Sequence, residues 1–165
     1  MLRKLGAITF VLATVVGAIG CTRPSEARAD NAAPAPATAG PEKKAAGSRA
    51  EGQGYVVEVQ PPASSAVGAV ATAKVVLKPT GGYKVNKEFP TALTVAIPAG
   101  VELAKPKQVP ADAAKFAEDG AVFDVAFTAK EAGDKHFEAT FKFAVCTADT
   151  CDPKSEKLAW TVAVK

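Results

Sequence analysis

The sequence has one His, three Cys, one Met and one Trp in 165 residues. With a single imidazole, His136, no multi-histidine metal centre can be built, and no metal is expected. Gly-x-Gly-x-x-Gly, P-loop and His-Glu-x-x-His patterns are absent, so nothing calls for a nucleotide or any other cofactor. Aromatic residues are 7% of the chain and eight of them are Phe, so the core is modest and concentrated. Hydrophobic residues reach 48%, but Ala inflates that figure: residues 27–50 alone hold ten. A charge of one sign is also lacking where it would matter. The net charge is +3, yet residues 55–165 carry 13 basic and 13 acidic side chains. A neutral domain has no electrostatic footprint for phosphate, which excludes a nucleic-acid binder. Hydrolytic chemistry is poorly supplied. Ser64 and Ser65 follow Pro61-Pro62-Ala63, His136 falls on the polar row of a strand, and no carboxylate pair is held by local spacing for acid–base work.

What is present begins with an address. Arg3 and Lys4 form a positive start, Leu5 to Gly20 is apolar, and Ala18-Ile19-Gly20-Cys21 ends the run. The run is short for a membrane span. This pattern resembles a bacterial lipobox, with Ala18 where Leu is usual. On that reading residues 1–20 are a lipoprotein signal peptide, and Cys21 receives a diacylglycerol and an N-acyl chain such as palmitate. The protein is then anchored to the membrane through its N-terminal lipid. Thr22, rather than Asp, follows the Cys, which resembles outer-membrane sorting with the domain facing the periplasm. Ordinary secretion, with cleavage after Gly20 or Ala29, is the alternative. Both place the chain in an oxidising compartment of the cell envelope.

Cysteine parity fits export. Acylation of Cys21 leaves Cys146 and Cys151, with four residues between them, an easy spacing for a local disulfide. Residues 21–54 read as the lipidated Cys and a disordered tether, rich in Ala, Pro, Gly and charge, with too few large hydrophobes to offset ordering entropy. Pro34, Pro36 and Pro41 argue against a helical arm.

From Tyr55 to Lys165 the hydrophobic period becomes two. Tyr55–Val59, the row Ala71, Ala73, Val75, Leu77, the run 92–97, and 101–103 read as strands separated by Pro and Gly turns. Phe123, Val125 and Phe127 share one face. Phe137, Ala139, Phe141, Phe143 and Val145 form the longest apolar row, and Leu158, Trp160, Val162 and Val164 form the last. Such alternation marks half-buried strands. Residues 111–119 read as a helical turn stopped by Gly120. The fold class expected is all-β: an immunoglobulin-like antiparallel β-sandwich of about seven to nine strands. Trp160 belongs to its core.

Cys146-Thr-Ala-Asp-Thr-Cys151-Asp-Pro153 is the distinctive local feature. Parity puts Cys146 on the outer row with Lys142 and Ala144, so a bridge would cross the tip of the final hairpin near solvent. For a closed loop of six residues its chain-entropy contribution is about 2.2 kcal/mol. Together with Gly82-Tyr-Lys-Val-Asn-Lys-Glu-Phe-Pro90, this segment resembles the periplasmic N-terminal domain of DsbD, the disulfide-bond-corrector-like domain of a membrane thiol–disulfide reductase. The resemblance covers residues 55–165. It implies an immunoglobulin-like sandwich whose redox pair, here Cys146 and Cys151, exchanges a disulfide with thioredoxin-like partner proteins. Lys84 stands where the family often has His.

The chemistry of the pair leaves two roles open. Asp149 and Asp152 flank it and disfavour a thiolate, with Lys154 offsetting only partly. As an oxidised electrophile, the bridge needs exposure more than acidity, because the attacking thiolate comes from the partner. One reading is an interaction lipoprotein whose bridge is only a hairpin staple. The other is a thiol–disulfide exchange accessory that accepts electrons.

Overall fold

The computed structural model describes residues 47–165. The segment expected to be a signal peptide (1–20), the expected lipidation site Cys21 and residues 22–46 of the expected tether lie outside the described residues. The described chain is an antiparallel two-sheet sandwich, as its hydrophobic alternation requires. In order, the strands are β1 (Arg49–Gly52), β2 (Tyr55–Gln60), β3 (Val70–Pro79), β4 (Lys84–Val85), β5 (Ala92–Ala96), β6 (Val101–Leu103), β7 (Lys107–Gln108), β8 (Lys115–Ala117), β9 (Gly120–Ala129), β10 (Gly133–Cys146) and β11 (Cys151–Val164). One sheet runs β1-β2-β3-β9-β6, with β8 also on β9; the other runs β11-β10-β5-β7, with β4 also on β10. The count exceeds the seven to nine expected because β4 and β7 are two-residue pieces, too short to carry a period.

The apolar rows fill the space between the sheets. Phe123 and Phe127 of β9 face Phe141 and Phe137 of β10, with ring centroids 5.5 and 4.8 Å apart. Trp160 lies flat on Phe137 at 5.2 Å and is 4% exposed. Five Phe side chains are fully buried here, each worth about 1.5–3 kcal/mol of transfer free energy.

Two expectations need correction. Residues 49–52, assigned to the tether, form β1 and pair with β2 from Arg49 opposite Glu58 to Gly52 opposite Tyr55. Ala50 is buried against the core, and the Ala159 N–H of β11 donates to the Gly47 carbonyl just before β1. The folded unit therefore includes residues N-terminal to Tyr55. One apolar side chain, Ala50, produces no readable period. The turn into β2 uses Gly54 at φ +83°, where an added Cβ would lie 2.5 Å from the Tyr83 ring.

Residues 111–119 are not a helix. A single 3-10 turn covers Pro110–Asp112, closed by the Asp112 carboxylate accepting from the Val109 N–H, and β8 follows. Phe116 packs edge-on toward Phe123, so tertiary burial overrides the helix preference of the alanines. Gly120 starts β9 rather than stopping a helix. Its φ is +151°, and a Cβ there would meet the Leu77 carbonyl oxygen at 2.8 Å.

Candidate functional site

β10 and β11 pair along their whole length, from Gly133 opposite Val164 to Cys146 opposite Cys151. Inward parity gives Phe143 and Val145 to the core, both 0% exposed, and leaves the two cysteines on the outer face. They are joined: Cys146 and Cys151 form a disulfide at the hairpin tip. Cys146 is half-buried and Cys151 is exposed. The four-residue loop between them is tied by Thr147. Its N–H donates to the Thr150 carbonyl at 2.8 Å, and its hydroxyl oxygen accepts from the N–H groups of Asp149 and Thr150 at 3.3 and 3.2 Å. The bridge therefore caps an already ordered turn.

The second motif, 82–90, arrives on the other side of β10. β4 sets Val85 opposite Val145 and Lys84 opposite Cys146. Val85 is buried, so Lys84 falls on the same outer face as the bridge, giving a lateral row Lys84, Cys146, Cys151. Asn86 fixes the segment. Its N–H donates to the Ala144 carbonyl at 2.9 Å, and its side-chain oxygen accepts from the N–H groups of Glu88 and Phe89 at 2.8 and 3.1 Å, an Asx-type turn. Its amide nitrogen lies 3.5 Å from the Cys151 sulfur, a weak donor contact. On the far side of β4 the Val85 N–H donates to the Glu118 carbonyl at 2.9 Å. The motif is thus held between the tip of β10 and the β8–β9 turn.

Charges around the bridge are mostly paired. Lys84 Nζ lies 3.0 Å from the Glu118 carboxylate, and that hydrogen bond, with the positive charges of Lys84 and Lys87, holds the Glu118 carboxyl below its usual range. Lys154 Nζ lies 2.6 Å from Asp152. The acidic penalty expected from Asp152 is therefore balanced locally. A cleft of about 270 Å³ beside Cys146 is lined by Lys84, Asn86, Lys87, Glu88 and Glu118. Sequence reasoning singled out the cysteines but missed Lys84, Asn86 and Glu118 as site residues. The first two stood in the quoted motif; Glu118 carried no local signal.

Beneath the tip, on the inward face, Glu156 is the one buried carboxylate among the described residues, at 7% exposure. Its partner is the Tyr55 hydroxyl, donated from the opposite sheet. Burial first, then the Glu156 carboxylate, pushes the Tyr55 phenol above its ordinary range. Tyr55 also meets Phe143 edge-on at 5.0 Å. His136 is exposed, with Nδ1 3.1 Å from the Thr161 hydroxyl, far along β10 from the bridge. Ser65 is buried, and its N–H donates to the Ala163 carbonyl, a structural position. Among the described residues no group of three His, Cys, Asp or Glu could hold a metal ion.

The fold and site define an antiparallel β-sandwich with a solvent-facing disulfide at the tip of its last hairpin. No protein-family model matches the chain, and no curated protein matches it either. Similar solved structures include a CARDB domain from Pyrococcus furiosus, solved in complex with di-metal ions, at 20% identity and TM-score 0.43, covering 70% of this chain and 97% of that one. Another is an Escherichia coli alpha-2-macroglobulin fragment, from domain MG7 to the C-terminus, at 18% identity and TM-score 0.44, covering 67% of this chain and 16% of that one. A third is AggA, the major subunit of aggregative adherence fimbriae type I from Escherichia coli, at 9% identity and TM-score 0.37, covering 67% of this chain and 95% of that one. These likenesses are loose, and the fold assignment rests on the sheets and their register. The likeness to the DsbD domain rests on the two motifs alone.

Proposed function

We propose that the protein is an envelope lipoprotein, anchored through Cys21, whose Cys146–Cys151 bridge accepts electrons from a thioredoxin-like dithiol protein. The observation that carries this reading is the bridge at the hairpin tip, with Cys151 an exposed residue whose sulfur lies beside the Asn86 amide of the second motif. In the exchange, a partner thiolate attacks the Cys151 sulfur. The Cys146–Cys151 bond breaks and Cys146 leaves as a thiolate. The partner's second thiolate then attacks its own first sulfur and releases Cys151. The partner dithiol is oxidised to a disulfide, the bridge is reduced, and the two partner thiol protons end on Cys146 and Cys151. The domain supplies a docking face and an electrophile. A thioredoxin-like protein carrying one active-site Cys should trap the wild-type chain as a mixed disulfide through Cys151 and should not trap the Cys146→Ser, Cys151→Ser variant. A bridge that resists dithiol exchange in the native state refutes the reading.

The second reading is an interaction lipoprotein with a purely structural staple. It is favoured by the placement of the bridge between residues that already oppose each other in a long ladder. It predicts a bond that reduces only when the hairpin unfolds.

A further inference from the structure

Cys146 has two lateral neighbours on the outer face, Cys151 on β11 and Lys84 on β4. Adjacent strands lie about 4.8 Å apart, so a Lys opposite a Cys is within reach of its sulfur with a simple rotamer change. While the bridge is closed, that sulfur is neutral and the ammonium is held by Glu118 at 3.0 Å. Opening the bridge places a negative charge on the sulfur beside it. We infer that Lys84 is a positioning residue that stabilises the Cys146 thiolate once the bridge opens, with Glu118 holding the ammonium in reserve while it is closed. The inference rests on the exchange reading above and names the group that makes Cys146 a good leaving group.

The other charges around Cys146 do not substitute for Lys84. Lys87 and Glu88 line the same cleft with opposite signs. Asp149 sits in the hairpin loop and forms no ion pair among the described residues. Asp152 opposes the inward Val145, on the other face of the sheet from Cys146, and is paired with Lys154 two residues along its own strand. Lys142 shares the outer row of β10 but stands four residues away, about 13 Å along the strand. Lys84 is the cation that the register puts directly opposite the sulfur.

The test uses the mature chain carrying Cys151→Ser, in which residue-resolved mass spectrometry follows alkylation of Cys146 by iodoacetamide as pH rises. Lys84→Gln should raise the midpoint by about half to one pH unit, the size of a single charge acting across a few ångströms near the surface. Lys84→Arg should restore it. Glu118→Gln, which frees the ammonium, should lower it, a shift in the opposite direction that loss of structure would not produce. Lys142→Gln should leave it in place. An unchanged midpoint in Lys84→Gln overturns the inference, as does an equal rise in Lys84→Gln and Lys84→Arg. The titration needs no exchange partner. Failure of dithiol exchange would remove the functional reading alone, and a flat titration would remove the role of Lys84 alone.

Discussion

Replacing both Cys146 and Cys151 by Ser removes a crosslink that closes a loop of six residues. The chain-entropy argument values this at about 2.2 kcal/mol. Three features bound the loss from above. The loop stays tied by Thr147 and Thr150, both cysteines lie on the outer face, and the Phe and Trp rows that fill the sandwich lie on the inward one. For a domain of this size the urea dependence is roughly 1–2 kcal/mol per molar, so the unfolding midpoint should fall by about 1–2 M. Trp160, stacked on Phe137, reports the transition by fluorescence. The double variant should unfold in one cooperative step with an unchanged slope. Loss of the cooperative transition, or a drop beyond about 5 kcal/mol, would show that the hairpin needs the bridge in order to fold. An unchanged midpoint would show that the bridge places no constraint on the unfolded chain. Either result refutes the reasoning.

Tyr55→Phe leaves the buried Glu156 carboxylate without its cross-sheet donor and should cost about 1.5–3 kcal/mol, read in the same urea titration. Because folding raises the Tyr55 phenol, its contribution is complete below the unfolded value near pH 10 and is lost as pH rises beyond it, so Tyr55→Phe should flatten the alkaline fall in stability. A chain starting at Gly47 should unfold like the mature protein, whereas one starting at Gln53, without β1, should lose about 1–3 kcal/mol through the missing ladder and the uncovered core beside Ala50. Cys21→Ala should shift the protein from the membrane to the soluble fraction of the envelope; unchanged retention would contradict lipid anchoring.

Strands with a full period of two were legible in the sequence. Phe123, Val125 and Phe127, and the row from Phe137 to Val145, are buried where alternation places them. Four short pieces were not legible. β1 buries only Ala50, β4 and β7 are two residues long, and β8 hides in an alanine-rich run where local propensity points to a helix. Their pairing is decided by packing that carries no sequence period, such as Phe116 on Phe123 across the β8–β9 turn. The bridge was legible from spacing and parity. Its neighbours were not, because Lys84 and Glu118 reach it through β4 and the β8–β9 turn, far from Cys146 in sequence. The Tyr55–Glu156 pair was equally hidden: an inward Glu on an apolar row is visible only as an interruption of the pattern at position 156.

The reduction potential of the Cys146–Cys151 bond, measured in the folded protein against a graded dithiol–disulfide buffer, tests the central claim most directly. Electron acceptance from a thioredoxin-like partner predicts a potential within the range of such proteins, about −120 to −270 mV. A value below about −300 mV would mark a structural bond and contradict the exchange reading.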